Sequence, residues 1–246
     1  MKRIKGKSAR VITLSLLLAL SLVGLSLMLA RPRMVKAATL TVTSPADSGP
    51  GTLRQAIIDA VSGDTINFAV GITTITLTTA ELLINKNLTI SGPGANLLTV
   101  QRSTAGATPN FRILDIASGN FSVTISGLTI TNGNSNFGGG AILNQSSGAL
   151  SVTGCAISGN SGNGVTADGN GATGVADVTN SLISNNGGAG IGALAGGIGR
   201  INNCDIFANT GTGASVGAGE IDTWGNNRIF SNGTDACPGC TPKGVS

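Results

Sequence analysis

The stretch GRINNCDIFAN (residues 199–209) is short and mixed in character, yet its layout recurs along the chain. VTISGLTITNG (123–133), LSVTGCAISGN (150–160), ADVTNSLISNN (176–186) and DTWGNNRIFSN (222–232) align with it. An isoleucine marks each copy, Ile130, Ile157, Ile183, Ile206 and Ile229, at intervals of 27, 26, 23 and 23 residues. Five residues before each marker stand Ile125, Val152, Val178, Ile201 and Trp224; two before it stand Leu128, Cys155, Ser181, Cys204 and Asn227. Only small or polar residues separate these two columns. Each copy therefore holds two very short strands with alternate residues facing inward, joined by a tight turn.

A third short apolar group follows each Gly-rich bend: Ala141-Ile142, Val165, Ile191 and Ala214. Three short strands per unit at a period near 23 define an all-β fold, a parallel β-helix. Its coils stack at about 4.8 Å, and none can bury its interior alone. A β-sandwich would show irregular spacing and no shared columns. Parallel crossovers are right-handed, so a right-handed coil is expected. Three residues after the marker, Asn160, Asn186, Asn209 and Asn232 form a further column. Stacked amides there can bond up and down the stack as an asparagine ladder and tolerate left-handed backbone.

The earlier coils are less regular: INFAVGITTITL (66–77), LLINKNLTISG (82–92) and NFRILDIASGN (110–120). Before them the period changes. Leu53, Ala56, Ile57, Ala60 and Val61 follow one face of a helix. Thr52 and Gln55 have capping-box spacing and Gly63 suits the stop, which predicts an N-terminal amphipathic capping helix over 52–62. The domains expected are 1–37 as leader, 38–64 as N-terminal cap, 65–236 as β-helix and 237–246 as C-terminal tail.

The chain has 246 residues, 38 of them Gly, with 41% hydrophobic, 11% charged, 3% aromatic and no His or Tyr. Aliphatic residues must therefore fill the core. The net charge of +4 is deceptive, because eight of the 15 basic residues precede Ala38 and none of the 11 acidic ones does. From Ala38 onward, seven bases face 11 acids, a balance of −4. That excludes a nucleic-acid reading from the overall basicity. The early basic residues flank VITLSLLLALSLVGLSLMLA (11–30), which reads as a secretory signal cleaved after Ala37 or as an uncleaved membrane anchor. Both readings place the remainder outside the cytoplasm, as a secreted or extracellular protein. If the segment is uncleaved, contact with the membrane runs only through residues 11–30.

The motifs TVTSPADSGPGTLRQAI (41–57), VTISGLTITNGNSNFGGGAILNQ (123–145) and VTGCAISGN (152–160) together resemble secreted bacterial right-handed parallel β-helix repeat proteins of the pectin-lyase-like superfamily. The resemblance covers most of residues 39–232. It departs from the common cap pattern at Gly51-Thr52, where a Cys usually precedes the helix. It implies either a non-catalytic structural, adhesive or carbohydrate-contacting surface module, or a polysaccharide lyase or glycoside hydrolase. Such lyases use clustered Asp around Ca²⁺ with an Arg or Lys base, and such hydrolases bring several Asp together on one sheet.

The columns test those chemistries. Asp177 and Arg200 share one outward offset on neighbouring coils, and Asp205 and Arg228 share another. These four are the residues an enzyme would draw on, yet paired in this way they are ordinary cross-strand contacts. Asp222 falls at a different offset, and no column holds two acids on adjacent aligned coils. Cys155 and Cys204 share an inward column two coils apart, about 10 Å, too far for a disulfide. They are expected to be buried free thiols. A nucleophilic Cys needs a base, and the chain has no His. CPGC (237–240) lacks the four ligands a metal usually wants, so a local Cys237–Cys240 disulfide is expected. The Gly-rich runs NFGGGAILN (136–144) and GGAGIGALAGG (187–197) lack a phosphate-loop ending. No cofactor or metal site is expected, a monomer is expected, and the partner class is an extracellular polysaccharide or a cell surface.

Overall fold

The computed structural model describes residues 36–135, 139–171, 173–235, 237 and 239–243. The leader expected over 1–37, with its apolar run, lies almost wholly outside them. Among the described residues no helix is long and apolar enough to cross a membrane. Residues 37–246 form one unit, a right-handed parallel β-solenoid in which each coil visits three sheets, here A, B and C. Among the described residues, sheet A has nine strands in chain order, from Thr39–Val42 and Asp64–Phe68 to Glu220–Trp224 and Thr241–Lys243. Sheet B has seven, from Thr74–Leu77 to Arg228–Phe230, and sheet C has six, from Leu82–Ile84 to Ala214–Val216.

Like residues stack on like. Ile66, Ile90, Ile125, Val152, Val178 and Ile201 line the interior from sheet A. Val100, Ile130, Ile157, Ile183 and Ile206 line it from sheet B, all fully buried. In four successive coils the turn from A to B holds one left-handed residue: Gly127 (φ 61°), Gly154 (60°), Asn180 (50°) and Asn203 (52°). Gly and Asn occupy this column because they enter that region most cheaply.

The asparagine ladder forms the bend from B to C. Asn160 Nδ2 donates to Asn186 Oδ1 at 2.9 Å, Asn186 to Asn209 at 2.9 Å, and Asn209 to Asn232 at 2.8 Å. Each Oδ1 also accepts the backbone N–H of the residue stacked above, so Asn160 satisfies Gly133 at 2.8 Å. The left-handed residue at this bend is the one before the ladder, not the ladder Asn itself: Asn132, Gly159, Asn185, Ala208 and Ser231, with φ 53–67°. The amide must point inward to reach its neighbours, so the preceding residue makes the corner. The ladder ends on a substitute, since Asp235 Oδ1 accepts Asn232 N–H at 2.6 Å. That bond draws the exposed Asp235 carboxyl below its ordinary value.

The helix is shorter than its periodicity predicts, spanning Leu53–Asp59 rather than 52–62. Thr52 caps it, accepting Gln55 N–H at 3.2 Å, but the Gln55 amide turns to Asp59 at 2.8 Å instead of closing a capping box. Lys86 ends it: its ammonium donates to Ile57 O, Ile58 O and Ala60 O at 2.7–3.2 Å. Ala60 has left the helical region (φ −58°, ψ 141°), so Val61 departs from the buried face and is exposed, as is Ile58. Two strands lie outside the β-helix boundaries expected at 65–236. Thr39–Val42 opens sheet A and Thr241–Lys243 closes it, because backbone pairing reaches past the side-chain repeat.

Asp47 fastens the cap to the first coil. Its Oδ1 takes two bonds from Arg54 at 2.6 and 3.1 Å, and its Oδ2 accepts both N–H and hydroxyl of Thr78 and Thr79. Arg54 goes on to Ala80 O and Glu81 O. Burial pushes the Asp47 carboxyl up, but the bonds from Arg54, Thr79 and Thr78 outweigh it and hold it at about 2 against an ordinary 3.8.

Two stability effects follow from these networks. Asn186→Ala should strand the amide and backbone groups above and below it and cost about 3 kcal/mol, read from urea unfolding. The lowered Asp47 value means its stabilisation is fully present above about pH 4 and fades as pH falls through 2. After allowance for solvent screening it amounts to about 1–2 kcal/mol. Asp47→Asn should therefore lie below the unsubstituted protein at pH 6 and converge with it near pH 2.

Candidate functional site

Two charged or polar arrays lie on the outer faces of the C-terminal coils. On sheet A the register pairs Ser151 with Asp177, Asp177 with Arg200, and Arg200 with Asp222. Arg200 Nη1 lies 3.6 Å from Asp177 Oδ1 and its Nε lies 3.6 Å from Asp222 Oδ2. Lys243 continues the array, 2.9 Å from Asp222 Oδ1 and 4.0 Å from Glu220 Oε1. The array therefore runs Asp177, Arg200, Asp222, Lys243, Glu220, with charge alternating at each step. Asp222 is the most buried member, 7% exposed.

This placement corrects the offset read for Asp222. Ile201 pairs with Thr223, not with Trp224, because the turn after the strand Glu220–Trp224 is one residue longer than its predecessors. Counting back from Ile229 across that turn slips every upstream residue by one. Asp222 thus enters the Asp177–Arg200 column, and Trp224 leaves the core to pair with Lys243. Asp177 and Asp222 remain two coils apart with a guanidinium between them.

The second array lines a groove of about 410 Å³ at the turn from sheet A to sheet B. It is lined by Asn180, Asn203 and Asn226 from the turns and by Leu182, Asp205 and Arg228 from the first positions of the sheet B strands. Asn203 Nδ2 donates to Asn180 Oδ1 at 2.7 Å, and Asn203 N–H to Asn226 Oδ1 at 3.1 Å. This second, exposed amide ladder leaves Asn180 Nδ2, Asn203 Oδ1 and Asn226 Nδ2 open to the groove, alternating donor and acceptor. Arg228 Nη1 meets Asp205 Oδ2 at 3.4 Å, with side chains 69% and 39% exposed. Beside them Phe207 and Phe230 stack with centroids 5.1 Å apart and planes 16° from parallel. The Arg228 guanidinium lies 5.3 Å over Phe230.

Reading by columns missed a third group, in the irregular early coils. Arg112 lies 3.4 Å from Glu81 Oε2 and 3.7 Å from Asp115 Oδ1. Burial pushes the Asp115 carboxyl up, Arg112 opposes that and Glu81 reinforces it. Asp115 pairs in sheet C with Leu83 and Leu143, a register that unequal loop lengths hide in the sequence. The groove asparagines were visible only as small polar turn residues between the apolar columns.

The thiols sit in the interior. Cys155 and Cys204 are buried and free, and Ser181 between them accepts Cys155 N–H through its Oγ. Cys204 Sγ lies 3.3 Å from Val178 O and Asn202 O. Burial pushes both thiols above their ordinary value. Cys237 and Cys240 form a disulfide. Among the described residues no group of three His, Cys, Asp or Glu could hold a metal ion.

The family model described as "Right handed beta helix region" matches residues 112–240, and the chain belongs to that family. Its structure is similar to the crystal structure of pectate lyase Pel9A, with a TM-score of 0.56 at 16% sequence identity. That alignment covers 86% of this chain and 58% of the lyase. At that identity the likeness is one of fold. No curated protein matches the chain.

Thiol chemistry checks the interior assignment. A disulfide-exchange reagent such as Ellman's should leave Cys155 and Cys204 unmodified in the folded protein and label both after denaturation, because only the thiolate attacks and burial disfavours it.

Proposed function

We propose that the chain is a non-catalytic, exported β-helix module that contacts polysaccharide. The observation carrying this reading is the exposed amide ladder Asn180–Asn203–Asn226, in a groove that Asp205 and Arg228 also line. Open amide donors and acceptors alternate there at the coil spacing, which suits the hydroxyls of an extended sugar chain lying along the solenoid axis. The chemistry of the charges supports binding over turnover. Arg200, Asp222 and Lys243 are each held against opposite charge, and none of them stands as an unopposed acid or base. The basic and apolar leader supports export.

The second reading is a carbohydrate-active enzyme. It draws on the column in which Asp177 and Asp222 flank Arg200, and on the fold shared with a pectate lyase. The chain spans 58% of the lyase's length, and fold alone does not license activity.

One experiment separates the two. Titration with polysaccharides, acidic and neutral, in the presence of Ca²⁺ should show binding that Asn203→Ala weakens about tenfold, the loss of about one hydrogen bond. No chain cleavage should accompany it. Cleavage that disappears in Asp177→Asn or Asp222→Asn would install the enzymatic reading; the absence of binding to every polysaccharide would remove the first.

A further inference from the structure

Asp64 occupies a position that later coils give to aliphatic side chains. It opens the strand Asp64–Phe68 and heads an inward column of sheet A, in register with Leu88, Val123, Leu150 and Ala176. Those four are buried, and Asp64 itself is 3% exposed. An ionised carboxylate is costly to bury unless it is paired or bonded. Its Oδ2 accepts Val61 N–H at 2.8 Å, and its Oδ1 accepts Ala38 N–H at 2.7 Å. Both donors are neutral backbone amides. Among the described residues no Lys or Arg forms an ion pair with Asp64. The charged groups of the cap are engaged elsewhere: Lys86 on Ile57 O, Ile58 O and Ala60 O, Arg54 on Asp47, and Asp59 on the Gln55 amide.

Ala38, the donor to Oδ1, is held on both sides. Its C=O accepts Thr65 N–H at 2.8 Å, one residue before Thr39–Val42 begins to pair with the same strand. Lys36 and Ala37, just upstream, are exposed and lie outside any helix or strand. The Ala37–Ala38 bond is also the one that the small residues Val35 and Ala37 suit for leader cleavage. The buried acid therefore sits against the nitrogen that this cleavage would set free.

We propose that Asp64 is the receptor for a new amino terminus: cleavage after Ala37 turns the Ala38 N–H into an α-ammonium that pairs with the Asp64 carboxylate. The inference rests on the export reading given above. In the step, a leader peptidase adds water across the Ala37–Ala38 peptide and the C–N bond breaks. The water oxygen stays with Ala37 as a carboxylate, and both hydrogens pass to the Ala38 nitrogen, giving the ammonium. The hydrogen bond to Oδ1 is then charge-assisted and correspondingly stronger. Because Ala38 is exposed, the ammonium keeps its other protons in water and avoids the penalty of full burial. The uncleaved chain has the same bond without the positive charge. Removal of the leader thus tightens the first coil of the solenoid, and only after export.

The full chain should be expressed in an exporting bacterial host and the exported protein sequenced from its amino terminus, which should be Ala38. An amine beside a carboxylate holds its proton to higher pH, so NMR titration of the Ala38 methyl group should place the α-amine about one pH unit above its ordinary value of about 8. Asp64→Asn should return it to that value. With the folded value raised above the unfolded one, the ion pair's stabilisation is complete below about pH 8 and fades as pH rises through the folded value. The gap in urea midpoint between the exported protein and Asp64→Asn should accordingly narrow from about pH 7 to about pH 10. Should Asp64→Asn fail to fold, the titration of the exported protein decides by itself. A chain that is not exported removes the export reading and the proposal together. A leader still attached, or a start other than Ala38, overturns the proposal at its first step. An exported protein that begins at Ala38 but titrates at the ordinary value overturns the ion pair while the export reading stands.

Discussion

Every residue in the coils has, about 4.8 Å above and below it, the residue at the same position of the neighbouring coil. That single constraint governs the molecule. A side chain is tolerated only where it suits its own kind or a chosen complement. Ile and Val satisfy the rule by dispersion, giving the inner columns from Ile66 to Ile201 and from Val100 to Ile206. Asparagine satisfies it by being donor and acceptor at once, so Asn160, Asn186, Asn209 and Asn232 bond head to tail without water. Charges cannot stack on themselves, because like charges directly opposite repel. They alternate instead, as Asp177, Arg200, Asp222 and Lys243 do.

The ends are where the rule runs out, and there the chain uses different chemistry. At the N-terminal end a two-turn helix covers the first coil, and Asp47, Arg54 and Lys86 tie its backbone and carbonyls to the coil below. At the C-terminal end Asp235 takes the place of the next ladder asparagine. A short disulfide-closed turn then lays an edge strand containing Pro242 across sheet A. Each end thus supplies acceptors or donors that a further coil would otherwise have provided.

The groove arises from the same rule acting on a turn. In four successive coils the corner from sheet A to sheet B uses one left-handed residue, and Asn180 and Asn203 take over there from Gly127 and Gly154. The substitution changes little in the backbone but adds a column of outward amides. A conformational requirement of the fold has in this way produced a surface with regular hydrogen-bonding capacity. The same turn, lengthened by one residue after Trp224, brings Asp222 beneath Arg200 and turns the tryptophan outward. One insertion therefore shapes both arrays.

Much of this was legible in the residues themselves. The repeat near 23, the inward columns and the asparagine column define a right-handed β-helix, because periodicity in a solenoid is local information repeated. Asp177 facing Arg200 and Asp205 facing Arg228 follow from equal offsets on coils of equal length. Tertiary structure decided what depends on unequal lengths or on distant partners. The register of Asp222 turned on one extra residue, which no count from a single marker reveals. The helix stopped at Asp59 because Lys86, 27 residues further on, claims its last carbonyls. Glu81, Arg112 and Asp115 met only because irregular loops happened to bring their coils into step. Sequence fixes which residue stacks on which where the spacing is constant; where it changes, only the folded backbone sets the register.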